Sequence, residues 1–328
     1  MTTLATYIHQ IDPVLWEVPG TPLALRWYGL AYIAGFVLGY LMLKWLSARK
    51  LYCVPEEKLG DFITLVCLLG VLAGGRLGEF FFYWLPEKGV DGFLADPSWV
   101  FRVWEGGMAS HGGMIGVILV SYFYARKNAL SFTAVLDGLA IVSPIGLFFG
   151  RIANFINGEL YGRITSETSA LAMKFPQEIY SFAAEQWWAM YAAVNRVCHI
   201  PLHVENVSGR IIAASRTNEQ VRQALEPYLA PRIPTQLFEA AGEGLLLFAV
   251  LLTVRLCWKK APAGIFCAIF CLLYAVVRVA VEHLKEPQEA GWYGITRGQY
   301  LSFGLALLGV VFLIFALKRG KKANSIHS

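Results

Sequence analysis

Apolar residues in this chain gather in long runs separated by short polar stretches. The runs cover about residues 27–46, 62–85, 110–125, 133–151, 236–254, 263–283 and 299–317. A helix that crosses a bilayer needs roughly 20 predominantly apolar residues. The pattern therefore predicts an all-α polytopic membrane protein with about seven transmembrane helices. Residues 1–24 precede the first run and are punctuated by Asp12-Pro13 and Pro19-Gly20-Thr21-Pro22. They are expected to form an extracytoplasmic segment with a short interfacial helix around Val14–Val18. Residues 163–232 carry mixed charge together with apolar pieces such as Ala183–Val197 and Gly209–Ala214, which predicts a small head domain of mixed structure. The expected division is then 1–24, transmembrane helices in 25–162, the head in 163–232, further transmembrane helices in 233–318 and a basic tail in 319–328. No internal repeat is visible.

Composition agrees with a membrane setting. Of 328 residues, 56 % are hydrophobic and 16 % charged, where a soluble domain has about 25 % charged. Mean hydropathy is +0.51. No basic stretch precedes the first run and no small-residue cleavage site follows it, so that segment is expected to remain in the mature protein. Lys and Arg collect in cytoplasmic loops close to helix ends. Here Arg49, Lys50 and Lys58 follow the first run, Arg126 and Lys127 the third, Arg255, Lys259 and Lys260 the fifth, and Lys318, Arg319, Lys321 and Lys322 the last. The alternate loops are poorer. The N-terminus is expected outside and the C-terminus in the cytoplasm. The net charge of +5 is read as topology, and the basic tail as a lipid-facing anchor rather than a nucleic-acid site. Six cysteines are scattered along the chain. Only Cys198 would face the oxidising side, without a partner there, and no C-x-x-C spacing occurs, so neither a disulfide framework nor a zinc site is expected.

An ionisable residue inside a bilayer costs about 2.5–3.5 kcal/mol on insertion scales and marks a functional site by default. Four windows stand out. Arg76 and Glu79, three apart in GGRLGEFFFY, form either a functional pair or a self-neutralising one in a glycine-rich packing seam. His111, among glycines in WEGGMASHGGM, has the pKa to take a proton near neutral pH, or it simply bridges two helices. Residues 150–163, GRIANFINGELYGR, put Arg151 and Asn154 on one helical face. Asn157-Gly158 then signals a turn and Glu159 follows it. Capping accounts for one asparagine there, not for the whole set. Tyr274, Arg278 and Glu282 recur every fourth residue, and Arg278 and Glu282 can pair. Asp137, near the cytoplasmic side of its run, is read as structural.

By the expected topology, Tyr28, His111, Arg151, Asn154, Glu159 and Arg278 lie at one level, the outer-leaflet interface. A transporter more often gathers polar groups near the midplane in broken helices. Two arginines at headgroup depth offer planar forks suited to a phosphate diester.

These residues carry a family resemblance. Gly150-Arg151-x-Ala153-Asn154-Phe155-x-Asn157-x-Glu159-x-x-Gly162 resembles the signature of the prolipoprotein diacylglyceryl transferases. Arg26-Trp27-Tyr28-Gly29-Leu30, Gly74-Gly75-Arg76 and Phe101 to Met108 leading into His111-Gly112-Gly113 are similar to the motifs of that family's first three helices. Tyr274, Arg278, Glu282 and Gly298-Gln299-x-Leu301-Ser302 resemble those of its last two. Ile233 to Glu239 stands where a His-Pro-x-Gln-Leu-Tyr-Glu run is frequent, Glu79 where a tyrosine is common, and Lys285 where an arginine is usual.

The resemblance implies transfer of the diacylglyceryl group of phosphatidylglycerol to the lipobox cysteine of a preprolipoprotein signal peptide. It implies a multi-pass protein of the bacterial inner membrane, with a periplasmic head and an active site facing the outer leaflet. His111, Arg151 and Arg278 would be catalytic. Tyr28, Arg76, Asn154, Asn157, Glu159, Gly162, Gln236, Glu239, Tyr274 and Glu282 would bind substrate. No metal or other cofactor and no nucleic acid is called for. Three other classes stay open on the residues alone. A transporter of an anionic solute predicts midplane convergence. A lipid-binding scaffold needs the arginines without His111. An intramembrane protease needs a second intramembrane aspartate or a serine elbow, and neither is visible.

Overall fold

A computed structural model describes residues 6–17, 20–21, 24–102, 106–286 and 296–325. In chain order it holds strands β1 (Tyr7–Ile8), β2 (Val14–Glu17) and β3 (Ala24–Arg26), then helices α1 (Trp27–Ala48), α2 (Glu56–Leu65), α3 (Gly74–Glu79), α4 (Leu85–Ala95), α5 (Ser110–Lys127) and α6 (Phe132–Asn157). Strand β4 (Met173–Lys174) opens the region between α6 and the next long helix, followed by α7 (Ala184–Asn195), α8 (Val207–Thr217), α9 (Glu219–Leu225), α10 (Thr235–Glu239), α11 (Leu247–Cys257), α12 (Ile265–Glu282) and α13 (Arg297–Ser325). Short π-helical turns at Val66–Ala73, Phe80–Trp84 and Ala240–Leu246 join α2 to α3, α3 to α4, and α10 to α11.

Six helical stretches among the described residues are long and apolar enough to cross a membrane: Trp27–Ala48, Glu56–Ala95, Phe132–Asn157, Thr235–Cys257, Ile265–Glu282 and Gly298–Arg319. The protein is an all-α polytopic membrane protein. The remaining apolar run is helical too, as α5, yet it is less apolar because Ser110, His111, Arg126 and Lys127 stand at its ends. The stretch Glu56–Ala95 exceeds its expected 62–85 at both ends, and helical geometry breaks at Gly89, where φ is +70°. The interfacial helix expected at Val14–Val18 is not formed. Val14–Glu17 is β2, paired antiparallel to β3. Val14 and Trp16 are residue types that favour a strand, and Gly20, with φ +75°, supplies the left-handed residue of the connection.

The structure divides into two compact units. The first comprises Met1–Val37, Pro144–Val250 and Cys271–Leu308. The segment between α6 and α10 folds there mainly as helices, with β4 its one strand. Its core joins Ile8, Ile179, Met190, Val194, Ile211, Ile212, Val221 and Leu225. Asn206 and Asn218 cap α8 and α9 by accepting backbone N–H bonds from Gly209, and from Gln220 and Val221, which fixes where each helix starts. Strand β1 pairs parallel with β4. Next to it His9 is buried, stacked on Phe175 and edge-on to Phe155, with ring centroids 5.5 and 5.3 Å away. Burial first, and the Arg216 charge second, push the His9 imidazole down to about 4.

The second unit comprises Leu38–Ser143, Leu251–Phe270 and Gly309–Ser328. Its seam is glycine against glycine. A Cβ on Gly78 would lie 2.5 Å from the Gly112 Cα, and one on Gly116 would lie 2.2 Å from the Gly70 carbonyl oxygen. Small residues spaced a helical turn apart let two membrane helices touch along their backbones. Asp137 accepts from the N–H groups of Gly264 at 2.6 Å and Cys267 at 2.9 Å. It thereby caps the first turn of α12, whose donors have no partner within the helix.

Candidate active site

In the first unit Arg151 of α6 and Arg278 of α12 converge on the same two carboxylates. Arg151 reaches Glu239 at 3.2 Å and Glu243 at 2.9 Å. Arg278 pairs with Glu239 and lies 3.5 Å from Glu243 and 3.4 Å from Glu282. Lys285 reaches Glu239 at 2.7 Å. Glu239 and Glu243 expose 0 % of their surface. Tyr274, one turn before Arg278, is within electrostatic range of both arginines and of Glu243. Three cations and three carboxylates thus share one buried cluster with formal charge zero. A lone buried charge would be prohibitive, and a paired one stays costly to break.

Local sequence explains how the carboxylates come between the arginines. Glu239 ends α10 and Glu243 lies in the π-helical turn Ala240–Leu246. Residues four apart share one helical face, so both carboxylates project to the same side, and π-helical turns recur at functional sites. Gly244 lets this segment press on α6, for a Cβ there would meet the Phe148 Cβ at 2.6 Å. Gly242 does the same toward α12, at 2.5 Å from a Val277 methyl.

About two turns beyond Arg151 the chain reverses. Gly158, at φ +69°, ends α6, and the Glu159 N–H bonds to the Asn154 carbonyl at 3.0 Å. The reversal folds the Glu159 carboxylate back on its own helix. There one oxygen accepts from Asn154 at 2.9 Å and Asn157 at 3.2 Å. The Tyr28 hydroxyl lies near the Asn154 amide and in the field of Glu159. Gln236, fully buried, donates to the Glu159 carbonyl at 2.7 Å. Gly162 is clamped between strands of loop: its N–H bonds to the Ile233 carbonyl, and a Cβ would sit 2.4 Å from the Leu284 carbonyl oxygen. Arg232 closes the base, pairing with Glu178 and Glu286 over the face of Tyr161.

Arg76 and His111 belong to the second unit. Arg76, 2 % exposed, does not pair with Glu79. Its Nε donates to the Val100 carbonyl, its Nη1 to Gly106 and Gly107, and its Nη2 to Trp99 and Arg102. Those acceptors match the five N–H groups of a guanidinium. The plane also lies 3.8 Å over the Trp99 ring, a favourable cation–π arrangement. Arg76 thereby gathers the loop that leads into α5. His111 is the second residue of that helix, and its side chain is exposed.

A family model described as prolipoprotein diacylglyceryl transferase matches residues 13–315. The chain belongs to this family. A phosphatidylglycerol–prolipoprotein diacylglyceryl transferase of Bdellovibrio bacteriovorus is 38 % identical, with 94 % of this chain and 93 % of the relative aligned. The one from Neisseria gonorrhoeae is 38 % identical over 95 % and 98 %. That of Bradyrhizobium diazoefficiens is 35 % identical over 91 % and 90 %.

As a member of the prolipoprotein diacylglyceryl transferases, the protein builds two groups of the residues singled out from sequence. Arg151, Glu239, Tyr274, Arg278 and Glu282 form the ionic cluster. Tyr28, Asn154, Asn157, Glu159, Gly162 and Gln236 form the adjoining loop site. Two members of the cluster were not expected, Glu243 and Lys285. The signal for Glu243 was present: a second glutamate four residues after Glu239 in an apolar run demands cationic partners.

Proposed function

We propose that this protein moves the diacylglyceryl group of phosphatidylglycerol onto the lipobox cysteine of preprolipoprotein signal peptides. The observation that carries this reading is the convergence of Arg151 and Arg278, from two helices, on shared carboxylates beside the Asn154–Glu159 loop. The relatives' names supply the two substrates.

In this reading the lipid phosphate binds between Arg151 and Arg278, whose forks fit a phosphodiester. Tyr28, Asn154 and Glu159 orient the glycerol. A cysteine thiol, with a free pKa near 8.5, attacks only as thiolate, and His111 accepts its proton. The sulfur displaces the phosphate oxygen at the glycerol carbon: the C–S bond forms, the C–O bond breaks, and glycerol phosphate leaves with the electron pair. Negative charge grows on the departing phosphate, and fixed guanidinium groups in a water-poor site stabilise it. Gly162 and Gln236 act by holding the loop. The protein works in the bacterial inner membrane, N-terminus outside and C-terminus in the cytoplasm, with the segment before α10 as its periplasmic head. The Lys and Arg excess of alternate loops supports that orientation.

The test is direct. Purified protein in detergent is incubated with phosphatidylglycerol and a synthetic lipobox peptide. Mass spectrometry is expected to find a diacylglyceryl thioether on the peptide and an equivalent of glycerol phosphate, both lost in Arg151→Ala. Neither product from a folded sample that still binds phosphatidylglycerol would point to a lipid-binding scaffold. Near-normal turnover in His111→Gln would remove His111 as the base.

A further inference from the structure

The arginines of the candidate phosphate site do not wait as bare cations. Among the described residues, each ion pair of Arg151 and Arg278 runs to Glu239, Glu243 or Glu282, and Lys285 also closes on Glu239. An unneutralised triad of cations would hold a doubly charged phosphomonoester more tightly than a singly charged phosphodiester. The balanced cluster reverses that order, because the second negative charge enters surroundings already neutral and largely shielded from water.

We propose that Glu239 and Glu243 set the ligand charge this site accepts, favouring a monoanionic phosphodiester and disfavouring a dianionic phosphomonoester. The inference rests on the phosphate-binding role proposed above for Arg151 and Arg278. The substrate headgroup is a phosphodiester. The leaving group is a phosphomonoester whose second pKa is about 6, so it becomes a dianion soon after the C–O bond breaks. The same carboxylates that admit the substrate therefore help expel the product, and Glu239 and Glu243 act through the arginines rather than on the reacting carbon.

The experiment compares two soluble headgroup analogues of nearly equal size, glycerol phosphate and its methyl ester, as inhibitors of thioether formation. It is run about two pH units above the second phosphate pKa. In the wild type the methyl ester, a monoanion, is expected to inhibit at least about tenfold more strongly than the dianion. Glu243→Gln keeps the size and an acceptor for Arg151 while removing one charge, and is expected to narrow or invert that preference. Lys285→Gln moves the balance the other way and is expected to widen it. A change of packing alone would shift both inhibitors together and leave their ratio fixed. Equal inhibition by the two analogues in the wild type, or stronger inhibition by the dianion, overturns the proposal without any variant. A ratio unchanged in both variants overturns it as well. The uninhibited wild-type reaction in the same series reports the transferase activity separately. If it yields no thioether, that reading falls, and calorimetric binding of the two analogues still measures the preference.

Discussion

The Ala109 N–H donates to the Gly75 carbonyl at 3.0 Å, so the residue next to Arg76 is tied to the residue just before α5. Together with the carbonyls gathered by Arg76, this fixes the approach to His111 from two neighbouring points. Lysine brings three donors and no fork, so Arg76→Lys would strand several of those carbonyls. We expect a stability loss of about 2–4 kcal/mol and a fall in kcat with the KM for phosphatidylglycerol nearly unchanged. Thermal unfolding in detergent and steady-state kinetics check both. A raised KM with normal kcat would place Arg76 on the lipid instead.

Arg151 spans Glu239 and Glu243 with separate nitrogens, a geometry that one ammonium cannot copy. Arg151→Lys is expected to lower kcat/KM by about 10²–10³-fold. Glu239→Ala leaves Lys285 and both arginines without their common partner, at a cost of roughly 3–5 kcal/mol. Glu239→Gln should be clearly milder, because it keeps an acceptor. Melting curves of the two glutamate variants side by side test this ordering.

His9 links stability to pH. Its folded pKa lies at about 4, against 6.5 for the free group. On acidification the unfolded chain takes the proton first. The His9 contribution is thus complete above about 6.5 and is lost as pH falls toward about 4, by at most about 3 kcal/mol. His9→Phe, an aromatic between Phe155 and Phe175, should flatten the melting temperature across that window. An unchanged slope would rule out His9 as its source.

Two glycines of the long motif should answer alanine differently. At Gly162 a Cβ would press on the Leu284 carbonyl and on the Thr235 methyl at 2.5 Å. Gly162→Ala is expected to cost about 1–3 kcal/mol and to slow turnover by shifting the Glu159 loop. At Gly150 a Cβ meets nothing within 4 Å, and Gly150→Ala should leave the melting temperature within about a degree or two.

Much of this was legible in the chain because bilayers make polar residues expensive. Arg151 and Arg278 announce themselves in apolar runs, Glu239 enters through the family resemblance, and length alone marks the helices. Glu243 was harder to see, since its partners are 92 and 35 residues away and nothing near it in sequence points to them. Arg76 misled for a related reason. Glu79, three residues on, is the obvious local partner, whereas the actual acceptors are carbonyls 23 to 31 residues downstream, and backbone acceptors leave no trace in side-chain pattern. The strand at Val14–Glu17 depends on β3 across a turn, which a segment read by itself cannot supply.

The entry and exit of the segment between α6 and α10 lie side by side, with Thr165 bonded to the Pro231 carbonyl and Ile164 bridged to Arg232. A chain that leaves and returns through one narrow doorway can lengthen, shorten or exchange what lies beyond it at little topological cost. The helices α7, α8 and α9 therefore form a cassette, which insertion or exchange can remodel while Arg151, Arg278, Glu239 and Glu243 keep their own contacts.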